Sequence, residues 1–173
     1  MNINFFKVFI FIFVIFFLSV FWLGLKKDRN YSTKNLIGSK ISSFQLTSIH
    51  NSDSISEEDL KNNQFTLINF FASWCSPCRV EHKYLIMLAS ENKKFKILGI
   101  NFKDKKNNAL SFLSELGDPY NFVAKDPDGK TSILFGTYGI PESILIDKDL
   151  IIRKKIIGPI DFKQYKEILN LIQ

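Results

Sequence analysis

The chain has 173 residues, enough for one domain of about 140 residues with additional segments. Its net charge of +6 comes from dispersed lysines rather than a basic cluster, which gives no case for nucleic-acid binding. With only two cysteines, the chain cannot be held together by a framework of several disulfides.

The N-terminal region contains a long apolar run. Residues 8–25 include no charged side chain and are rich in phenylalanine, and this length is just sufficient to cross a bilayer. A secretory signal usually has a shorter apolar core, and no clear cleavage site of small residues follows. We therefore predict an uncleaved transmembrane signal anchor after a short segment, 1–7; a cleaved signal peptide and a buried core helix are the alternatives. Basic residues flank the run on both sides, so charge does not decide its orientation.

The rest of the chain is predicted to consist of a tether, 26–40, and one folded domain, 41–173. Apolar patterning and turn residues define the elements of this domain. The predicted strands are 41–46, 65–72, 96–102, 121–123, 143–147 and 151–157, and the predicted helical segments are 56–60, 76–90, 107–116, 133–135 and 161–172. This order indicates an α/β fold with a central mixed sheet and helices on both faces.

The two cysteines lie three residues apart, between the strand 65–72 and the helix that follows it. A C-x-x-C motif at such a junction is typical of a redox site. The helix N-terminus favours the thiolate of Cys75, so we expect Cys75 to be the nucleophile. Cys78, one turn further on, is expected to resolve the mixed disulfide.

The neighbouring residues are expected to support this chemistry. Ser76 and Pro77 separate the sulfurs and should tune the stability of the reduced form, while Pro77 is tolerated early in a helix. Arg79 adds a solvated positive charge. A structural zinc site would need four ligands, and neither histidine has ligand spacing to the cysteine pair. We therefore predict no metal and no cofactor beyond the redox-active disulfide Cys75–Cys78.

Further stretches of the chain extend the pattern beyond the redox motif. They are residues 74–85 (Trp-Cys-x-x-Cys-Arg-x-Glu-His-x-x-Leu), 99–104, 116–120, 126–129 and 136–147, the last with Tyr-Gly-x-Pro-Glu. Over residues 35–170 the sequence resembles the CcmG/DsbE family of membrane-anchored thiol:disulfide interchange proteins. This resemblance implies a thioredoxin-like fold.

The resemblance also implies a function. Such proteins are protein-disulfide reductases that keep the haem-attachment cysteines of apocytochrome c reduced, directly or through a partner such as CcmH. Their electrons come from a membrane carrier of the DsbD or CcdA type. The expected location is the bacterial inner membrane, with one span and the catalytic domain on the periplasmic side.

The resemblance assigns roles to several residues around the cysteines. Pro141 is expected to be the cis-proline of this fold, which exposes the backbone of Ile140 to an extended substrate. Trp74 is expected to cover one side of the disulfide.

A proton acceptor is also required. Thioredoxin has a buried aspartate six residues before its first cysteine, but here that position is Asn69, which cannot accept a proton. The predicted acceptor is Glu142, with a pKa raised by partial burial. Glu81 is a second candidate; the alternative role for it is to order Arg79 or the adjacent loop.

The sequence leaves two other hypotheses about function open. The chain could be a ResA- or TlpA-type enzyme, or a general extracytoplasmic thiol-disulfide oxidoreductase, with the same sulfur chemistry and another client. It could also be a copper(I) metallochaperone, because soft thiolates select copper(I). Copper chaperones on this fold usually space the cysteines one residue wider and add a later histidine, and no histidine follows His82.

Overall fold

The computed structural model describes residues 3–25, 36–91 and 94–173. They belong to two compact units, an N-terminal helix and a C-terminal domain. Most of the predicted tether, 26–40, lies outside the described residues.

The N-terminal unit is a single helix, α1, over Ile3–Leu25. Within it, Phe6–Gly24 is long and apolar enough to cross a membrane. Its apolar composition and length fit a membrane anchor. The predicted anchor, 8–25, overlaps this apolar stretch, which begins two residues earlier and ends one residue earlier.

The C-terminal domain is built around one mixed sheet of seven strands. The strands are β1 (Gln45–Ser48), β2 (Ser54–Ser56), β3 (Phe65–Phe71), β4 (Phe95–Phe102), β5 (Phe122–Asp126), β6 (Glu142–Asp147) and β7 (Ile152–Ile157). The helices are α2 (Ser76–Glu91), α3 (Lys106–Leu116), α4 (Lys130–Leu134) and α5 (Phe162–Ile172), with a short 3-10 helix at Glu57–Leu60. The sheet order is β2-β1-β5-β4-β3-β6-β7.

The central strands β3, β4 and β5 are parallel, whereas β6 and β7 continue the sheet as an antiparallel hairpin. Parallel strands covered on both faces are expected to be mostly apolar, and β3 and β4 are mostly apolar and buried along almost their whole length. The mixed sheet predicted from the sequence is therefore confirmed.

Helices cover both faces of this sheet. On one face, α2, α3 and α5 bury residues such as Leu85, Phe112 and Ile168 against the sheet. On the other face, Phe135, which follows α4, packs with Phe44 and Phe70. The thioredoxin-like architecture follows from this arrangement, and the cysteines belong to the face that carries α2.

The structure differs from the sequence prediction at several element ends, and the first strand and β2 show why. The first strand begins at Gln45 rather than at residue 41, because Ile41 instead donates its amide hydrogen to the carbonyl of Leu150, beside β7. The three-residue β2 was missed, because a single apolar residue between two serines is too short a stretch to show a period. The predicted N-cap of the last helix is confirmed: the Asp161 carboxylate accepts from the Gln164 amide at 2.8 Å.

Candidate active site

The two cysteines form a disulfide at the N-terminus of α2, with an S–S distance of 2.01 Å. Cys75 directly precedes the helix, and the backbone N–H of Cys78 donates to the Cys75 sulfur at 3.2 Å. This donor and the positive end of the helix both stabilise negative charge on that sulfur. Cys75 is 4% exposed and Cys78 1%, so the predicted order of accessibility is found, although little of either residue is exposed in the oxidised state.

The loop before the cysteines is anchored on the loop that follows β4. The Asp104 carboxylate accepts from the Ser73 amide at 2.7 Å, from the Ser73 hydroxyl at 2.9 Å and from the Asn101 amide at 3.1 Å. Trp74 is 59% exposed, and its indole N–H donates to the Lys103 carbonyl at 3.2 Å. Asp104 was missed as a site residue; the available signal was its position just after β4, the parallel neighbour of β3.

We predict that Asp104→Ala destabilises the oxidised protein by about 2–3 kcal/mol, because it removes several charge-assisted hydrogen bonds and leaves their donors without a partner. The measurement is denaturant unfolding of the full chain in detergent. Asp128→Ala is the matched control, since that side chain is exposed and pairs with exposed Lys130, 3.4 Å away. Equal stability of the two variants would contradict the anchoring role.

The loop between α4 and β6 contains the predicted cis-proline. The Ile140–Pro141 peptide bond is cis, as expected. Pro141 is buried and accepts from the Gly158 amide at 3.0 Å. Ile140 is partly buried and packs against core clusters on both faces of the sheet, including the cluster that contains the cysteines.

Glu142, the first residue of β6, holds this loop from within. Its Oε1 accepts from the amides of Tyr138 at 2.8 Å and Gly139 at 3.2 Å. Its Oε2 lies 3.1 Å from Nζ of Lys155 on β7, and both side chains are buried. Lys155 also donates to the Gly136 carbonyl at 2.5 Å. The buried ion pair therefore ties both ends of the cis-proline loop to the hairpin.

This environment differs from the one predicted for Glu142. Phe70 is paired with Glu142, and Asn69 with Ser143, in the β3–β6 register. The Ser143 hydroxyl accepts from Asn69 on the face that carries α2. Since neighbouring side chains of a strand point to opposite faces, Glu142 points away from α2. Complete burial and an ion pair replace the expected partial burial, and both favour a structural role.

We predict that Lys155→Met destabilises the protein by about 3 kcal/mol, because it leaves the buried Glu142 carboxylate without its counter-charge. The double variant Lys155→Met/Glu142→Gln should recover much of this loss, since the amide oxygen still accepts from the loop amides. Unfolding of the full chain in detergent measures both. Lys154→Met, on the same strand but with a partly exposed glutamate partner, is the control and should change little. Absence of recovery in the double variant would contradict the ion-pair account.

Glu81 is a buried acid on α2, close in sequence to the redox pair. It lies three residues after Cys78 on α2 and is fully buried. Its Oε1 accepts from the side-chain amide of Asn69 at 2.9 Å, and its Oε2 accepts from the Ile160 backbone amide at 2.7 Å. Burial raises the pKa of Glu81 from 4.5 to about 7, against the opposing effect of these two hydrogen bonds.

Glu81 does not order Arg79, which was one role considered for it. The Arg79 guanidinium instead makes a bidentate contact with Glu115 of α3, at 2.9 and 3.1 Å. Ser76 and Pro77, in the first turn of α2, are exposed. The structure thus brings the cysteine pair and Glu81 together on one helix and separates Glu142 from them.

The family model described as Redoxin matches residues 36–169. This chain belongs to the Redoxin family. Among curated proteins, it is 35% identical over 154 residues to the thiol:disulfide interchange protein DsbE of Allochromatium vinosum, covering 89% of this chain and 84% of that protein. It is 40% identical over 147 residues to DsbE of Pseudomonas aeruginosa, covering 84% and 80%. The DsbE-type resemblance is therefore confirmed.

A solved structure supports the same assignment. The crystal structure of a putative DsbE from Chlorobium tepidum matches with a TM-score of 0.70 and 26% identity, over 79% of this chain and 98% of that one. This Redoxin-family chain is thus a thioredoxin-like thiol-disulfide oxidoreductase of the DsbE type.

Proposed function

We propose that this chain is a membrane-anchored protein-disulfide reductase that keeps haem-attachment cysteines of apocytochrome c, or those of a CcmH-like partner, reduced during cytochrome c biogenesis. The observation that carries the proposal is the Cys75–Cys78 pair at the start of α2 with the buried acid Glu81 on the same helix. The family resemblance supplies the client and the direction of electron flow.

The reaction proceeds by two thiol-disulfide exchanges. The Cys75 thiolate of the reduced protein attacks one sulfur of the client disulfide, forms a mixed disulfide and releases the other client sulfur as a thiolate. Cys78 then loses its proton and attacks the Cys75 sulfur, which releases the second client thiolate and forms the Cys75–Cys78 disulfide. Two electrons have passed to the client, and a DsbD- or CcdA-like membrane donor returns them.

Glu81 is the proton acceptor in this scheme. A base must take the Cys78 proton while the mixed disulfide exists, and a carboxylate with a pKa of about 7 is poised to do so at neutral pH. Glu81 lies one helical turn from Cys78 on the same side of α2. Glu142, the earlier candidate, is assigned to hold the cis-proline loop.

The client binds beside the first cysteine. The exposed ring of Trp74 offers an apolar surface on one side, and the loop with Ile140 and Pro141 offers backbone groups for an extended segment. Ser76 and Pro77 lie next to the two sulfurs. The ion pair between Arg79 and Glu115 joins the exposed side of α2 to α3.

We place the protein in the bacterial inner membrane through α1, as a single-pass protein with its domain on the periplasmic side. The apolar span Phe6–Gly24 supports the anchor, and the DsbE resemblance supports the side. Only an extracytoplasmic domain would meet its clients where haem is attached.

The test uses the reduced full chain in detergent and an oxidised peptide containing Cys-x-x-Cys-His, the c-type haem-attachment motif. We expect rapid reduction of this peptide, followed by thiol alkylation and mass spectrometry. A matched peptide with histidine replaced by serine, and the disulfides of insulin, are the comparison substrates. Equal rates for all three would favour a general oxidoreductase, and oxidation of the dithiol peptide by the disulfide form, without the reverse reaction, would overturn the proposal.

A further inference from the structure

A buried polar chain runs from α2 across the sheet to the loop before β5. The Tyr120 hydroxyl donates to Oδ1 of Asn69 at 2.8 Å. The other end of the same amide, Nδ2, donates to Glu81 at 2.9 Å and to the Ser143 hydroxyl at 3.0 Å. Asn69 is therefore a buried amide whose hydrogen-bonding atoms are all engaged by named partners.

We propose that Tyr120 is a positioning residue of the redox site, which fixes the Asn69 amide so that its N–H groups face the Glu81 carboxylate. The expected effect of Tyr120 on catalysis rests on the proposed role of Glu81 as proton acceptor. The orientation of the amide itself follows from the contacts.

The Asn69 amide donates hydrogen bonds from its nitrogen and accepts them at its oxygen, so its orientation and the ionisation state of Glu81 depend on each other. An ionised Glu81 only accepts, so it requires the nitrogen of Asn69 to face it. A protonated Glu81 can donate, and would then equally suit an amide turned by 180° with its oxygen towards Glu81. A buried phenol at the far end of Asn69 disfavours the turned amide: the phenol oxygen could accept from the turned nitrogen, but the phenol O–H would lose the amide oxygen that now accepts its proton. Tyr120 thus stabilises the arrangement that suits the carboxylate.

The Tyr120 hydroxyl stays protonated and therefore remains a hydrogen-bond donor. Its burial, and secondly the Glu81 carboxylate, raise the pKa of Tyr120 well above the ordinary value of 10, so the phenol keeps its proton. The ring is also fixed in place, stacked on Phe71 with centroids 4.9 Å apart. Gly99 leaves room for it, since a Cβ at that position would come within 2.9 Å of the ring.

The groups around Glu81 are contributed by several elements. They are Cys78 from its own helix, Asn69 from β3, Ser143 from β6 through Asn69, the Ile160 amide from the segment before α5, and Tyr120 from the loop before β5. The charged pair of Glu142 and Lys155 lies on the opposite face of the sheet. Tyr120 links the β5 loop to Glu81 through Asn69, and its own titratable neighbours are Asp118 of the same loop and His82 of α2, whose ring lies 6.4 Å from that of Tyr120.

The test is Tyr120→Phe, which keeps the stacked ring and removes the donor. The full chain in detergent, oxidised and labelled with 13C at the glutamate side-chain carboxyls, is titrated by NMR, and the Glu81 signal is assigned by its loss in Glu81→Gln. We expect the Glu81 midpoint to rise by about half to one pH unit in Tyr120→Phe, the equivalent of one net hydrogen bond. Tyr165→Phe is the matched control, because it removes a buried tyrosine's 2.6 Å hydrogen bond to Glu91 away from this network.

An unshifted midpoint in Tyr120→Phe, or the same shift in Tyr165→Phe, would overturn the inference. The rate–pH profile of peptide reduction gives the second readout. If the NMR midpoint shifts and the inflection of the profile moves with it, both the inference and the role of Glu81 stand. If the midpoint shifts while the inflection does not, Tyr120 positions Asn69 as proposed, and it is Glu81 that must be removed from the mechanism.

Discussion

Replacing Glu81 with glutamine is expected to slow peptide reduction at neutral pH by about 100-fold, at the lower end of what a general base contributes. The proton of Cys78 would then have to leave to solvent from a site in which Cys78 is 1% exposed. The rate–pH profile should lose its inflection near pH 7, which we assign to Glu81. The measurement is single-turnover reduction of the Cys-x-x-Cys-His peptide between pH 5 and 9, and an unchanged profile would contradict the assignment.

The same substitution makes a separate prediction for stability. The pKa of Glu81 is about 7 in the folded protein against an ordinary value of 4.5, so folding favours its protonated form. Its contribution is fully retained below pH 4.5 and is lost as the pH rises through 7. Relative to Glu81→Gln, the wild-type protein should therefore lose roughly 3 kcal/mol of unfolding free energy between pH 4.5 and 7.5.

The difference between the two proteins isolates this one group, because the other carboxylates titrate in both. Some of these have lowered pKa values, such as that of Asp147, whose hydrogen bonds to Ile151 and Arg153 outweigh its partial burial, and they act with the opposite sign. Denaturant unfolding of both full chains at a series of pH values measures the difference. Parallel curves would show that Glu81 titrates normally in the folded protein.

The second large effect is expected for the cysteines. Cys78→Ser should accumulate a mixed disulfide between Cys75 and the client peptide, because no second sulfur remains to displace the peptide. Cys75→Ser should form no adduct and show no turnover, since the remaining sulfur lies one turn into α2 and is almost fully buried. Intact-mass spectrometry detects the adduct directly.

The double variant Cys75→Ser/Cys78→Ser is the control for non-specific adducts, because it leaves the chain without a thiol. An adduct in Cys75→Ser and none in Cys78→Ser would reverse the two assigned roles.

The fold could be predicted from the sequence because its strongest signals are local. The apolar runs of β3 and β4, the amphipathic α5 and the Cys-x-x-Cys junction each follow from residues next to one another. The cis-proline was predicted from the family motif around Tyr138–Glu142. The three-residue β2, Ser-Ile-Ser, is too short to show a period and gave no such signal.

The site could be predicted only in part, because its polar contacts join distant parts of the chain. Asn69 meets Tyr120 from 51 positions away, and Glu81 meets the Ile160 amide from 79. Sequence reasoning ranked Glu142 first because it adjoins Pro141. The face to which each acid points depends on the register of β3 with β6, which composition and spacing do not fix.

The most direct test of the central claim is the equilibrium reduction potential of the Cys75–Cys78 pair in the full chain. Glutathione or dithiothreitol buffers set the potential, and alkylation with mass spectrometry counts the free thiols. A protein that delivers electrons to client disulfides should have a potential below about −200 mV, with thioredoxin and the glutaredoxins. A potential near about −120 mV, that of a strong oxidant, would contradict the assignment as a reductase.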